Sequence, residues 1–335
     1  MPVRSITASV TGRLSLLGRP LRRPLCLVAL VAAVIALLSL SPPLVASDER
    51  SVSRDDDKIA DYGVCRGTNP RCYHTWDTTF RRDNVWRILV YSRTGVSRHA
   101  HLGPLLGPGL NPPLAEANVA QRVLVQWATE RGIQADWTED VAQLDSPAKL
   151  LRYDGVVFLS TSRDILDDAA QTSLTQYMRA GGGFVSIHNT LGAEYNWPYF
   201  QGLLGGANFY DHGPHRDGVV RTVNPRDAST RGMPREWAYK DEFYNLEPMP
   251  TKVRELLALK QGSAGDTRGF NGHPGHPGDH PLSWCQYYDG GRSWVTSLGH
   301  DVANYNGAMP GVEQFKRHVM GGILSVIGAE PFCTR

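Results

Sequence analysis

Several signatures of common enzyme classes are missing from this chain. No Gly-x-Ser-x-Gly, Cys-x-x-Cys or His-Glu-x-x-His motif occurs. The sequence therefore does not predict a serine hydrolase elbow, a dithiol redox site or a helical zinc site. The formal net charge is only +2 and no basic stripe follows residue 47, so we expect no nucleic-acid partner. The apolar run over 25–40 is shorter than the roughly 20 residues that a membrane-spanning helix needs.

The first 47 residues contain no Asp or Glu but carry five arginines. The apolar run follows these arginines, and small residues surround Ala46. This order predicts an export signal peptide over 1–47, cleaved near Ala46. We therefore expect a secreted or cell-surface protein that touches a membrane only if the signal stays uncleaved as an anchor.

Cleavage would leave four cysteines, Cys65, Cys72, Cys285 and Cys333. Four cysteines in an exported chain allow three pairings. Pairing Cys65 with Cys72 closes the shortest loop and leaves Cys285 for Cys333, but the sequence does not choose among the three. It also leaves the oligomeric state open.

Strand and helix patterns alternate from residue 85 onward. Residues 48–84 are charged and irregular, which predicts a linker and an N-terminal flap. Buried-strand patterns then alternate with amphipathic helix patterns, and this rhythm predicts a doubly wound parallel α/β sheet. Shorter strand candidates follow residue 200, and a closing helix is expected over 311–327. We expect one domain over 85–328 and a C-terminal tail over 329–335.

The segment 181–190 joins a helix to a strand and then to polar residues. Three glycines end the helix, and 184–187 reads as a buried strand. His188 stands at the turn where a hydrolase would carry its nucleophile, whereas Ser186 lies two residues early. Covalent catalysis by serine or cysteine is therefore disfavoured.

Polar side chains follow most predicted strands. Strand ends on one side of an open α/β sheet share a crevice, and histidine beside a carboxylate is suited to acid–base catalysis near neutral pH. The candidate catalytic residues are His99, His188, Asp241, Glu242, His280 and His300. The candidate substrate-binding residues, with aromatic rings suited to stacking on sugars, are Arg98, Asn189, Trp197, Tyr244, Asn245 and Trp284.

Two histidine-rich loops raise the question of a metal. His212 and His215 form one His-x-x-His pair, and 273–280 holds three further histidines. Loop spacing does not set the fixed angles that zinc requires. We therefore predict acid–base chemistry without a metal or other cofactor, and keep a divalent metal such as zinc as the alternative.

Segments spread in order over about 86–328 resemble the ThuA-like family, named for trehalose utilisation. The matching segments are 98–99, 153–159, 177–188, 194–198, 241–245, 279–285, 288–294 and 298–300. The resemblance implies a flavodoxin-like fold of the class I glutamine amidotransferase-like type without its cysteine nucleophile, with His188 at the elbow. The chain departs from the family pattern at 189–191 and in the loop over 273–276.

Members of this family are associated with sugar catabolism, including oxidised (keto) disaccharides. The resemblance therefore implies a small-molecule carbohydrate as ligand, and an enzyme that cleaves or isomerises a keto-sugar or glycoside. A non-catalytic sugar-binding or cell-surface module is the alternative.

Overall fold

The computed structural model describes residues 63–75, 83–307 and 309–335. The predicted signal peptide and most of the predicted linker lie outside the described residues. Residues that the structure describes all lie in one compact unit.

Strands make up most of the regular structure. They are β1 (Arg66–Gly67), β2 (Arg87–Tyr91), β3 (Gln134–Thr138), β4 (Gly155–Leu159), β5 (Gly183–Ile187), β6 (Phe209–His212), β7 (Arg216–Thr222), β8 (Glu236–Asp241), β9 (Tyr244–Leu246), β10 (Arg254–Leu259), β11 (Pro281–Tyr288) and β12 (Gly291–Thr296). The α-helices are α1 (Val119–Thr129), α2 (Pro147–Leu150), α3 (Asp168–Arg179), α4 (Pro198–Leu203), α5 (Val302–Asn306) and α6 (Val312–Val326).

The main sheet is mixed. Its order is β3-β2-β4-β5-β12-β11-β10-β7-β8, and β1 pairs with β11. The five strands from β3 to β12 run parallel, and the strands from β11 to β8 continue the sheet antiparallel. The predicted α/β fold is confirmed, with an antiparallel extension built by the shorter strands after residue 200. Strands β6 and β9 form a separate pair.

Alternate residues of the central strands supply two cores. On β2, Ile88 and Val90 pack in the cluster that includes Leu124 of α1 and Phe315 of α6. Leu89 and Tyr91 face the other way, with the apolar residues of α3 and α4. Helices thus cover both faces of the parallel strands, which is why those strands read as continuous apolar runs.

The glycine triplet is required by geometry at the entry to β5. Gly181 has φ +94°, which favours glycine, and it follows the end of α3. A Cβ on Gly183 would lie 2.8 Å from the carbonyl oxygens of Asp154 and Val326. The close approach of these backbones sets β5 between its neighbours and leads the chain directly to His188.

Strand β8 was not predicted from the sequence. Trp237, Tyr239 and Asp241 are buried and alternate with more exposed residues, which is the period of a half-buried strand. The segment also carries charged residues, and these obscured the alternation. β8 runs in the same direction as the parallel strands, so its carboxyl end lies on the same side of the sheet as theirs.

The four cysteines pair as Cys65–Cys72 and Cys285–Cys333. The structure therefore selects, from the three pairings that the sequence allowed, the one that contains the shortest loop. Disulfides persist in oxidising compartments, so this pairing fits an extracellular protein. Among the described residues, no helix is both long and apolar enough to cross a membrane.

Glu255 on β10 generates a test of pH-dependent stability. Burial, helped by the Asp279 carboxylate, raises the pKa of Glu255 to about 7, and its Oε1 has no hydrogen-bond partner among the described residues. The unfolded chain loses this proton near pH ~4.3. The folded state therefore holds the proton longer, and this group's contribution to stability is lost as the pH rises from about 4.5 through 7.

We expect Glu255→Gln to raise the unfolding free energy at pH 8, because it removes a charge that is unfavourable where the side chain is buried. The expected gain is only ~1 kcal/mol, since the side chain is partly exposed and water screens the charge. Thermal melts at pH 5 and pH 8 measure the effect, and Glu116→Gln, on the exposed surface, is the matched control. An equal change at both pH values would contradict the assignment.

Candidate functional site

Four side chains from four strand ends meet at the carboxyl edge of the sheet. They are His99 after β2, His188 after β5, Glu242 after β8 and His300 after β12. One nitrogen or oxygen from each lies within 4.8 Å of all the others. All four belong to the predicted catalytic set, although they are spread over some 200 residues of sequence. We call them the His₃Glu cluster.

His188 is held in one tautomer. It has φ +54° and a fully buried ring, and its Nδ1 lies 2.8 Å from the carbonyl oxygen of Ser297. A carbonyl only accepts, so Nδ1 carries the proton and Nε2 presents a lone pair. Burial lowers the pKa of His188 well below its usual range, and the neighbouring histidines add to this shift.

That lone pair faces two polar groups. The Tyr244 hydroxyl lies 2.8 Å from His188 Nε2, and His99 Nε2 lies 3.2 Å from it. One lone pair cannot serve two donors well. Nδ1 of His99 is also buried without a hydrogen-bond partner among the described residues. The Tyr244 hydroxyl can donate to the His188 lone pair, so the ring that lacks a partner is His99, and a cation between the two rings would satisfy the nitrogens that face each other.

Glu242 brings negative charge to the cluster. Its Oε2 lies 3.0 Å from Nδ1 of His300, and its Oε1 lies 3.5 Å from Nδ1 of His212. Burial lowers the pKa of His300, but the Glu242 carboxylate, assisted by Asp241 and Asp301, outweighs burial and raises it. For Glu242, burial raises the pKa, and His300 and His212 reverse this and lower it.

Asp241 orients two members of the cluster without joining it. Its buried carboxylate accepts hydrogen bonds from the backbone N–H groups of Glu242 (2.8 Å), Gly299 (2.7 Å) and His300 (3.2 Å). Burial raises the pKa of Asp241 to about 7, although these donors oppose the shift. Asp241 thus orients Glu242 and His300, and the direct catalytic role predicted for it stays a prediction.

His101 supports the cluster from behind and was missed as a site residue. Its Nδ1 donates to the His300 carbonyl (2.6 Å), and its Nε2 accepts from the Ser160 hydroxyl (2.8 Å). Burial lowers the pKa of His101 to about 3, so the ring stays neutral. Its place two residues after His99 was the only sequence signal.

Two predicted residues have structural tasks away from the cluster. Arg98 donates to the carbonyls of residues 102–104 and pairs with Glu139 at 2.8 Å, so it shapes the loop that carries His99. His280 is buried and bonds the Tyr244 carbonyl at 3.0 Å, outside the His₃Glu cluster. Each also keeps one buried nitrogen, Nη1 of Arg98 and Nδ1 of His280, that has no hydrogen-bond partner among the described residues.

Four of the predicted substrate-binding residues also lie elsewhere. Trp284 is fully buried in the core and donates to the Leu204 carbonyl. Asn245 is buried and donates to Asp211 and Thr267, Asn189 is buried in the turn that follows β5, and Trp197 packs against Tyr199. Their substrate-binding roles stay predictions, since local polarity or aromaticity does not show which way a side chain points. Tyr244 is the one predicted substrate-binding residue at the cluster.

The mouth of the site is marked by its part-exposed histidines. The side chains of His212, His215 and His300 are 26%, 24% and 27% exposed, whereas His188 is fully buried. His215 lies against His300 with ring centroids 5.3 Å apart, and its Nε2 has no partner within the described residues. These three rings therefore form the more exposed side of the cluster, opposite the buried His188.

Comparisons with known proteins agree with this architecture. The chain is similar to a ThuA-like protein from Bacteroides uniformis, with 21% identity, a TM-score of 0.57, and coverage of 75% of this chain and 96% of that one. A ThuA-like protein from Parabacteroides merdae shows 16% identity, a TM-score of 0.53, and coverage of 75% and 93%. These likenesses concern the fold. No curated protein matches the chain.

The family model described as trehalose utilisation (ThuA) matches residues 87–325, which include every member of the His₃Glu cluster. This range spans more than half of the chain, so the protein belongs to the ThuA family.

Proposed function

We propose that the protein is an exported, metal-dependent enzyme that cleaves or isomerises a keto-sugar or glycoside. The observation that carries the proposal is the His₃Glu cluster, whose ligand atoms lie within 4.8 Å of one another. Ligands bonded at ~2.1 Å to one first-row metal ion are at most about 4.2 Å apart, so small movements would close the set.

The donor set favours zinc or another first-row divalent ion. Imidazole suits these metals, and one carboxylate offsets part of the ion's charge. The cluster therefore supports the metal alternative over the metal-free chemistry expected from the loops. Such an ion supplies a Lewis acid that polarises a bound oxygen and lowers the pKa of bound water.

The side chains around the cluster would bind the substrate and transfer protons. In hydrolysis, water adds its oxygen to the anomeric carbon, the glycosidic C–O bond breaks, and the departing oxygen takes a proton. The Tyr244 hydroxyl lies 2.8 Å from His188 Nε2, and once that nitrogen holds the metal the hydroxyl proton is free to donate to a substrate oxygen at the cluster. His212 and His215 flank the mouth and are suited to transfer protons there.

The substrate class and the location rest on separate observations. The family is described by trehalose utilisation, which supports a carbohydrate. The two disulfides and the basic, acid-free segment before the apolar run support export. A ketone beside hydroxyl groups offers the oxygen atoms that a metal ion binds, which favours the keto-sugar.

We expect about one equivalent of divalent metal per chain, measured by elemental analysis of the purified protein after dialysis. His188→Ala should reduce the metal content severalfold, because it removes a ligand. His273→Ala is the matched control, since His273 lies in the other histidine-rich segment and should leave the content unchanged. Metal lost in the control but kept in His188→Ala would overturn the assignment.

We expect the metal-loaded protein to release monosaccharide from a disaccharide oxidised to a ketone on one ring. Glu242→Gln should lower kcat/KM at least 100-fold, since it removes the only carboxylate of the cluster. Release is followed by chromatography, with the unoxidised disaccharide as comparison. Binding without conversion to monosaccharide or an isomer would contradict the enzyme and favour a sugar-binding module.

We expect Asp241→Asn to weaken metal affinity by about 10–100-fold, because an amide N–H₂ would face backbone donors that now orient Glu242 and His300. Competition with a fluorescent chelator measures the affinity. Asp217→Asn, exposed on β7, is the control. Unchanged affinity in Asp241→Asn would show that these backbone bonds do not orient the ligands.

A further inference from the structure

Two aromatic rings remain exposed near the mouth of the site. Phe270 is 70% exposed and Tyr210 is 44% exposed, whereas most of the large apolar side chains that the structure describes are buried. A single exposed apolar residue is common and by itself indicates nothing. What sets Phe270 apart is the way in which its backbone is held.

The loop 269–273 carries Phe270 and is fixed from both sides. The Phe270 N–H donates to the His212 carbonyl (3.0 Å), and the Gly269 N–H donates to the His273 carbonyl (2.9 Å). The buried carboxylate of Asp211 accepts from the backbone N–H groups of Asn271 (2.9 Å) and His273 (3.2 Å). These bonds fix the backbone of Phe270 so that its apolar ring is mostly exposed to water. The ring therefore gains little stabilisation from the hydrophobic effect.

Close packing also restricts the start of this loop. A Cβ on Gly269 would overlap the Asp211 carboxylate, so the loop crosses β6 at the distance that glycine allows. Asp211 also accepts a hydrogen bond from Asn245 (2.9 Å). Asp211 and Asn245 thus tie the loop to the β6–β9 pair, which also carries His212 and Tyr244.

Phe270 lies next to the open side of the His₃Glu cluster. Its ring packs edge to face against His212, with centroids 5.5 Å apart, and His212 Nδ1 lies 3.5 Å from Glu242. Tyr210, also on β6, packs against His273 at the other end of the loop, at 5.6 Å. The His212 ring therefore lies between the exposed Phe270 ring and Glu242 of the cluster.

We propose that Phe270, with Tyr210 at the far end of the same loop, forms a stacking subsite for the second pyranose ring of the substrate. The inference rests on the proposed function and deepens it, because it specifies a substrate with at least two rings. The first ring would lie at the cluster, and the apolar face of the second would pack on Phe270. His212, His273 and Asn271 surround the rings with polar groups suited to the ring hydroxyls.

A protein partner fits this surface less well. A stable protein interface buries roughly 800 Å² on each side around a largely apolar centre. Here each of the isolated rings packs against a histidine. A sugar ring has a flat apolar face with hydroxyl groups around its edge. Such a ring matches a surface on which an aromatic ring lies beside polar side chains.

The test compares one-ring and two-ring substrates in the metal-loaded, full-length protein. The probes are trehalose oxidised to a ketone on one ring, and the methyl glycoside of the same keto-sugar. Phe270→Ala should raise KM for the two-ring probe about tenfold and change kcat less than twofold. Its kinetics with the methyl glycoside should match the wild type, and Phe270→Trp should restore the two-ring KM.

The control is Val96→Ala, which truncates another exposed apolar side chain and should change neither probe. Equal effects of Phe270→Ala on both probes, or no effect on either, would overturn the subsite. Thermal melts and metal content of each variant show that the fold and cluster are intact.

If the proposed function is wrong, the wild-type protein will turn over neither probe, and this result is distinct from failure of the subsite. In that case, saturation-transfer NMR with unoxidised trehalose measures binding directly. Contact of one ring with Phe270, lost in Phe270→Ala, supports the subsite without catalysis. Binding unaffected by the variant, or no binding at all, overturns it.

Discussion

The carboxylate of Asp241 joins two strand ends that the sheet order keeps far apart. β8 lies four strands from β12, a distance of about 19 Å across a flat sheet. Asp241 nevertheless accepts hydrogen bonds from the backbone of Gly299 and His300, directly after β12. These bonds link the end of β8 to the segment that follows β12 and place Glu242 beside the histidines that follow the parallel strands. Without them the Glu242 carboxylate would have no fixed place in the cluster.

The rest of the site follows from burial. His188 and His101 are buried, and backbone carbonyls fix which nitrogen of each ring carries the proton. Burial keeps both rings neutral, with pKa values lowered for this reason. Neutral imidazoles that converge beside one carboxylate in a setting of low polarity are costly to bury without an ion, and this cost is the physical basis of the proposed metal site.

Much of the fold could be predicted because the signals are local. The parallel strands are apolar runs, the glycine triplet ends a helix, and Asp167 caps α3 as its sequence position suggests. β8 was missed because charged residues interrupt its alternation. The candidates His99, His188, Glu242 and His300 follow strands that end at one edge of the sheet, and the structure brings them together. Arg98 instead bonds backbone carbonyls and Glu139, and Trp284 lies in the core.

The sequence by itself determined the ThuA-like α/β architecture, the strand-end histidines and the small set of disulfide pairings. Local periodicity and residue type carry that information, because they depend on neighbours within a few positions. Only the tertiary structure decided that His99, His188, Glu242 and His300 face one another, whereas His280 faces away. It also decided that Phe270 stands exposed beside them. Those outcomes depend on backbone hydrogen bonds between segments distant in sequence, which no local pattern records.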